Sequence, residues 1–291
     1  RLFRLYARRI VLWMHEIAEW RVRRAMGFKI PSVVSIAGSD SSGGAGIQAD
    51  LKTIEALGLF AQTAITALTA QNTMGVSGVL DVPSEFVVQQ IDAVFEDIRP
   101  GAVKIGMVSS ALNVVAIAES LRAHAAENIV VDPVMVSTSG SRLISDGASE
   151  ALTGRLFPLA SVITPNIPEA EVLWGRSIAT KRDMEAAAGE LSERFGVAVL
   201  VKGGHGISDA DDVLAERGFT CWLPGERIEN DNTHGTGCTL SSAIACGLAK
   251  GFTVFEACEY AKRYISGALA AQMDLGRGSG PLDHMWEYRG R

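Results

Sequence analysis

Two glycine-rich stretches carry residues that could do chemistry, and one of them suits phosphate. Asn232-Thr233-His234-Gly235-Thr236-Gly237-Cys238-Thr239 stands directly before an apolar helical segment, Leu240–Leu248. Glycines there let several backbone amides converge at the positive end of a helix dipole. Such a nest stabilises the negative charge that builds on a phosphoryl group in transfer. Cys238 falls in the first turn, where a thiol pKa is expected to drop toward neutrality. As a thiolate it could take a proton from an alcohol. Cys221, Cys246 and Cys258 read instead as small residues buried against a sheet.

The other stretch, Ser35–Asp50, reads SIAGSDSSGGAGIQAD. Gly44–Ala49 fits G-x-G-x-x-A after a strand. A dinucleotide site would also want an acid about 20 residues on, to hold the ribose. Ile65, Thr66, Ala67 and Leu68 stand there, and Glu55 and Asp81 are poorly placed. The G-K-[ST] ending of an ATP-binding loop is absent too. These glycines therefore read as bringing backbone close to a small ligand. Asp50, one turn into the following helix, either accepts hydrogen bonds from a donor-rich ligand or merely complements the helix dipole.

The elements that position these stretches alternate. Short apolar runs at 32–37, 63–68, 102–105, 128–131, 161–164 and 198–201 read as strands. Amphipathic stretches at 47–57, 84–98, 111–126, 169–174 and 182–195 read as helices between them. Residues 211–223 alternate like a β-hairpin, and two helices, about 237–249 and 254–273, follow. This order predicts a mostly parallel sheet with helices on both faces. Ligands in such folds bind beyond the carboxyl ends of the strands. The residues at those ends are Gly38-Ser39-Asp40, Thr69 to Asn72, Gly106-Met107, Asp132-Pro133, Pro165-Asn166 and Lys202-Gly203-Gly204-His205.

At 291 residues and 47% hydrophobic, the chain can bury a large core. Its net charge of −6 gives no reason to propose nucleic acid as a partner. No apolar run reaches the roughly 18 residues that span a bilayer. The four cysteines show no C-x-x-C pair, which suits a reducing, cytoplasmic setting. Residues 1–30 differ from the rest. They hold seven arginines and one lysine against two glutamates, and Phe3, Tyr6, Ile10, Trp13, Ile17 and Trp20 form one helical stripe. The segment reads as a basic amphipathic extension ahead of a single domain, 31–291. Its alternatives are a helix lying on an acidic membrane or on a partner. Met26-Gly27-Phe28 would make a natural start to the core, and the apolar centre Ile10–Met14 is short for a secretory signal.

The motifs together resemble the hydroxymethylpyrimidine/phosphomethylpyrimidine kinases of thiamin synthesis, within the ribokinase-like superfamily. The matching pieces are AGSDSSGGAGIQADLKT (37–53), TALTAQNTMGV (66–76), KIGM (104–107), VVDPVM (130–135), TPNIPEA (164–170), VKGGH (201–205) and NTHGTGCTLS (232–241). The resemblance covers residues 31–285, and GTGC is its most specific piece. It implies a three-layer α/β/α sandwich. It also implies phosphorylation by MgATP of 4-amino-5-hydroxymethyl-2-methylpyrimidine, then of the monophosphate to the diphosphate. Gly38, Asp50, Gln71 and Met107 would line the pyrimidine pocket. Cys238 would be the base, with Gly235, Thr236 and Gly237 completing the anion hole. Lys202 and Asn166 would meet ATP, and Asp132 and Glu169 would organise Mg²⁺ through water. Glu169 also suits a first-turn helix acid after Pro168. A homodimer is implied as well. Ser141 stands where relatives often carry an acid, which weakens any nucleotide contact there. The nearest rival is a pyridoxal or pyridoxine kinase, and a non-catalytic pyrimidine-binding regulator is the rival of another class.

Overall fold

The computed structural model describes residues 30–135, 146–204 and 210–289. The basic segment before Ile30, Ser141 and His205 lie outside them. The chain runs β1 (Ser32–Asp40), α1 (Gly46–Ala56), β2 (Phe60–Asn72), β3 (Gly75–Asp81), α2 (Ser84–Asp97), β4 (Ala102–Ile105), α3 (Ala111–Ala123) and β5 (Ile129–Val131). A short helix α4 (Asp146–Ala151) continues into a π turn and a 3₁₀ turn before β6 (Val162–Ile163). Then come α5 (Ile167–Trp174), α6 (Lys181–Phe195), β7 (Ala198–Val201), the hairpin β8 (Asp212–Glu216) and β9 (Phe219–Leu223), α7 (Thr236–Ala249), α8 (Val254–Ala270) and α9 (Trp286–Arg289).

The strands form one sheet in the order β3-β2-β1-β4-β5-β6-β7-β8-β9. The pairs from β2 through β7 are parallel, and β3, β8 and β9 add on antiparallel. Period-two alternation builds two cores from each strand. Val34, Ile36, Val103, Ile105, Ile129 and Val131 face one core with α2, α3, α5 and α6. Val33, Ala102, Val130, Ala198 and Leu200 face the other, with α1, α7 and α8. The architecture is thus three layers, helices over sheet over helices.

Two features of this frame position the site. The chain leaves β1 toward β2 but leaves β4 toward β5. The carboxyl ends of the neighbours β1 and β4 therefore mark the switch point, where open sheets form a crevice. The second is α7, whose residues 239–248 are all buried. A Cβ at Gly247 would lie 2.8 Å from that of Ala257, so α7 packs on α8 at the closest approach glycine allows. The buried body of α7 holds its half-buried N-terminus in place.

Within the described residues the predicted strands and helices form. The extra strand β3 lacks a sequence signal because every one of its residues is exposed, leaving no apolar alternation to read. Strand β2 runs on past Leu68 to Asn72 because β3 pairs with it out there.

Candidate active site

Both glycine stretches form backbone nests, and they differ in what fills them. In the loop after β1, the Asp40 carboxylate accepts from the amides of Ser42 (2.8 Å), Gly44 (3.1 Å) and Ala45 (2.8 Å), and from the Ser42 hydroxyl. Burial alone would raise its pKa. His234 and then the Ser42 and Ala45 donors outweigh that and hold the acid far below the usual range. The chain's own carboxylate thus occupies the place a phosphate takes in a nucleotide loop. At the head of α7, Gly235 is left-handed (φ 85°) and serves as N-cap with no side-chain cap. The amides of Gly235, Gly237 and Cys238 find no hydrogen-bond partner among the described residues. That nest is free for an outside anion.

The two loops touch. A Cβ on Gly235 would collide with the Gly44 carbonyl, and one on Gly44 with the His234 ring. The Gly46 amide donates to the Cys238 sulfur. His234 Nε2 lies 2.9 Å from Asp40 Oδ2.

A charged cluster faces the free nest. Asp132, just past β5, pairs with Lys202, just past β7, at 2.8 Å, and both side chains are largely buried. Thr164 donates to the same oxygen, Oδ1. Oδ2 accepts no hydrogen bond among the described residues and would lie 3.1 Å from a Cβ at Gly237. Burial disfavours the Lys202 charge, but Asp132 and then Glu169 more than offset this and raise its pKa. Glu169 is 2% exposed and closes a capping box with Asn166 at the start of α5. One of its oxygens takes the Asn166 amide (2.9 Å), the other the Met135 amide (3.0 Å). Burial raises its pKa, Lys202 opposes this, and Asp132 adds to it. The Met135 bond anchors a strained turn: Val134 sits at φ 41°, an outlier for a β-branched residue. Among the described residues no cluster of three or more His, Cys, Asp or Glu side chains forms a metal cage.

On the switch-point side, Gly38 and Met107 face each other: a Cβ on Gly38 would sit 2.6 Å from Met107 Cε. Thr66 fixes the Met107 backbone through its carbonyl (2.8 Å). Gln71 stands at the far end of β2, its amide 3.3 Å from His234. The structure therefore brings Gly38, Gln71 and Met107 to one side of the free nest and Asp132, Asn166, Glu169 and Lys202 to the other.

Two expectations need correction. Asp50 is 0% exposed, and both its oxygens are taken, by Lys104 (2.8 and 2.9 Å), Ser35 (2.5 Å) and Ser242 (2.8 Å). It neutralises a buried lysine and presents no surface to a ligand. Cys238 is half-buried. Burial pushes its thiol up to about 11. Lys104 pulls it down, Asp50 and Asp132 push it up, and the Gly46 amide does not reverse the balance. The resting site holds a thiol, not a thiolate.

The sequence reading missed Lys104, Asp40 and His234 as working residues. Lys104 had a signal: a lysine inside the apolar strand β4 needs a buried counter-charge. Nothing in the sequence pairs Asp40 with His234, 194 positions apart.

With this geometry in hand, comparison with known proteins identifies the family. Residues 40–283 match the family model described as phosphomethylpyrimidine kinase. The chain is 51% identical over 259 residues to the hydroxymethylpyrimidine/phosphomethylpyrimidine kinase of Rhizobium meliloti, covering 88% of this chain and 97% of that one. It is 50% identical over 271 residues to the thiamine biosynthesis bifunctional protein ThiED of Geobacter sulfurreducens, covering 93% of this chain but only 55% of that longer protein. Among solved structures, the phosphomethylpyrimidine kinase of Clostridium difficile superposes with a TM-score of 0.74 at 46% identity, over 83% of this chain and all of that one. The pyridoxal kinase of Staphylococcus aureus, in complex with AMP-PCP, gives 0.83 at 32% identity, over 90% and 96%. The chain belongs to the phosphomethylpyrimidine kinase family and has the ribokinase-like fold of these neighbours.

Proposed function

We propose, taking that membership as the premise, that the chain uses ATP to phosphorylate 4-amino-5-hydroxymethyl-2-methylpyrimidine and then its monophosphate, for thiamin diphosphate synthesis. The observation that carries the reading is the convergence of the Gly235, Gly237 and Cys238 amides, which bond no other described residue, opposite the Asp132–Lys202 pair. In this reading, the nest and Lys202 hold the transferring phosphoryl group; Thr236, expected in the anion hole, gives its amide and hydroxyl to the Thr233 carbonyl and closes the turn that shapes the nest. Gly38, Gln71 and Met107 hold the flat ring so that its hydroxymethyl oxygen meets the phosphorus. Positioning and charge stabilisation supply most of the catalysis. Cys238 accepts the alcohol proton in its minor thiolate form, and late, because the alcohol becomes acidic only as the new O–P bond forms.

The donor set suits Mg²⁺, which prefers phosphate oxygens, waters and one or two carboxylates. Asp132 Oδ2 is available for it, and Glu169, its oxygens already holding amides, would act through water. When bound, the ion would neutralise phosphate charge. Asn166 lies in register with Lys202 at the phosphate side and belongs to the same proposal. A homodimer and a cytoplasmic location are also part of it. The exposed apolar residues Leu68, Met74, Val76, Val79 and Leu80 on the β2–β3 ribbon support the first, and four free cysteines support the second. No helix among the described residues is long and apolar enough to cross a membrane.

The structural likeness to a pyridoxal kinase favours a second reading, action on a pyridine alcohol. ADP release, measured with MgATP and separately with the pyrimidine, its monophosphate, pyridoxine or no acceptor, tests both. Turnover of both pyrimidines is the expected result. Turnover of pyridoxine alone would move the assignment to vitamin B6 salvage. A folded protein that binds pyrimidine but releases no ADP would point to a regulator.

A further inference from the structure

His234 stands outside every role assigned so far, yet it joins three parts of the site. Its ring lies over Gly44, its Nε2 meets Asp40 Oδ2 at 2.9 Å, and the same nitrogen lies 3.3 Å from the Gln71 side-chain amide. The backbone of Gln71 is itself fixed to the first loop, since the Ser41 hydroxyl bonds both its N–H (2.9 Å) and its C=O (2.8 Å). Only the orientation of the Gln71 amide is then open.

Proton counting fixes it. Asp40 is an ionised acceptor already facing several N–H and O–H donors, so the ring nitrogen that meets it carries a proton. A second donor, an amide NH₂, cannot face that same N–H. On the other side of the amide stands Thr69, whose hydroxyl has one proton. The Ser39 carbonyl takes it at 2.9 Å, so it is not also free for a Gln71 oxygen at 3.1 Å. Both conflicts vanish in one arrangement. The Gln71 oxygen faces His234 and shares the ring proton with Asp40, while the Gln71 nitrogen donates to the Thr69 hydroxyl.

We propose that His234 is a positioning residue for the acceptor substrate, holding Gln71 with its carbonyl toward the ring and its NH₂ toward Thr69. Gln71 is then left with one N–H and one carbonyl lone pair for a ligand. That is a donor beside an acceptor, the complement of an amine next to a ring nitrogen. This consequence rests on the reading of Gln71 as a substrate contact; the proton arrangement does not.

The ring state is tested first, on the unliganded full chain. Two-bond ¹H–¹⁵N spectra of the His234 imidazole should show a protonated Nε2 at neutral pH. A bare, pyridine-type Nε2 overturns the proposal. The kinetic test uses MgATP and the hydroxymethylpyrimidine. His234→Leu should raise the pyrimidine KM about tenfold, the factor expected when a buried polar group loses its partner, with the ATP KM within about twofold. His234→Gln, whose amide N–H can reach the place of Nε2, should stay within about threefold of the parent. An unchanged pyrimidine KM in His234→Leu overturns it. So does a loss in a folded His234→Gln as large as in His234→Leu. If the parent chain turns over no pyrimidine, the kinase reading fails, and the ring spectrum still decides this one.

Discussion

The loop after β1 and the loop before α7 look alike in sequence, rich in glycine and leading into helices, and they do opposite things. The first is closed on itself. Asp40 uses up its amides, and beneath it α1 is pinned to β4 by the Asp50–Lys104 pair. The second is open, with unpartnered amides aimed at Asp132 and Lys202. A glycine-rich loop is therefore an anion site only when no carboxylate of the chain already fills it and when its helix points into a cleft.

Breaking the open loop should have the largest effect. Gly235→Ala puts a Cβ against the Gly44 carbonyl at a left-handed position, so both the nest and its contact with the first loop are lost. Turnover should fall about 10³-fold, as when an anion hole loses its donors. Retention of more than a tenth of the activity would mean that the nest is not the phosphoryl site.

Asp50→Ala attacks the closed side. It strands Lys104 in a fully buried place and should destabilise the fold by about 3–5 kcal/mol in urea unfolding. The pyrimidine KM of the protein that stays folded should change little. A large KM increase at unchanged stability would restore Asp50 as a ligand contact.

Cys238→Ala tests the junction of the two loops. Because burial raises the thiol to about 11, the thiolate fraction grows about tenfold per pH unit below that value. The parent kcat/KM should thus climb between pH 7 and 9. The variant should lose about 10²-fold at pH 8, show a flat profile and still bind pyrimidine. A flat profile in the parent would remove the base role and leave the nest as the main catalyst.

Asp40→Ala should give the smallest effect, about 2 kcal/mol of stability, as the Ser42, Gly44 and Ala45 amides lose their acceptor. Emptied, this nest should accept an outside anion, so sulfate should raise the variant's Tm more than the parent's. Equal sulfate shifts would show that the loop collapses rather than standing empty.

Much of this was legible in the chain alone. Short continuous apolar runs and period 3.6 determined the alternating strands and helices, because burial on both faces of the sheet and on one face of most helices imposes those patterns. Turn and cap chemistry located the loops, as with Asn166 and Glu169 closing their capping box at the start of α5. The glycines marked both places where backbone comes close to something. The sequence could not say to what. That Asp50 answers a lysine 54 positions on, that Asp40 fills its own loop and reaches His234 across 194 positions, and that the Cys238 thiol is pushed up rather than down were decided by the tertiary structure. The physical reason is common to all three. Hydrogen-bond satisfaction and desolvation depend on which groups folding brings within a few ångströms, and local residue types do not carry that information.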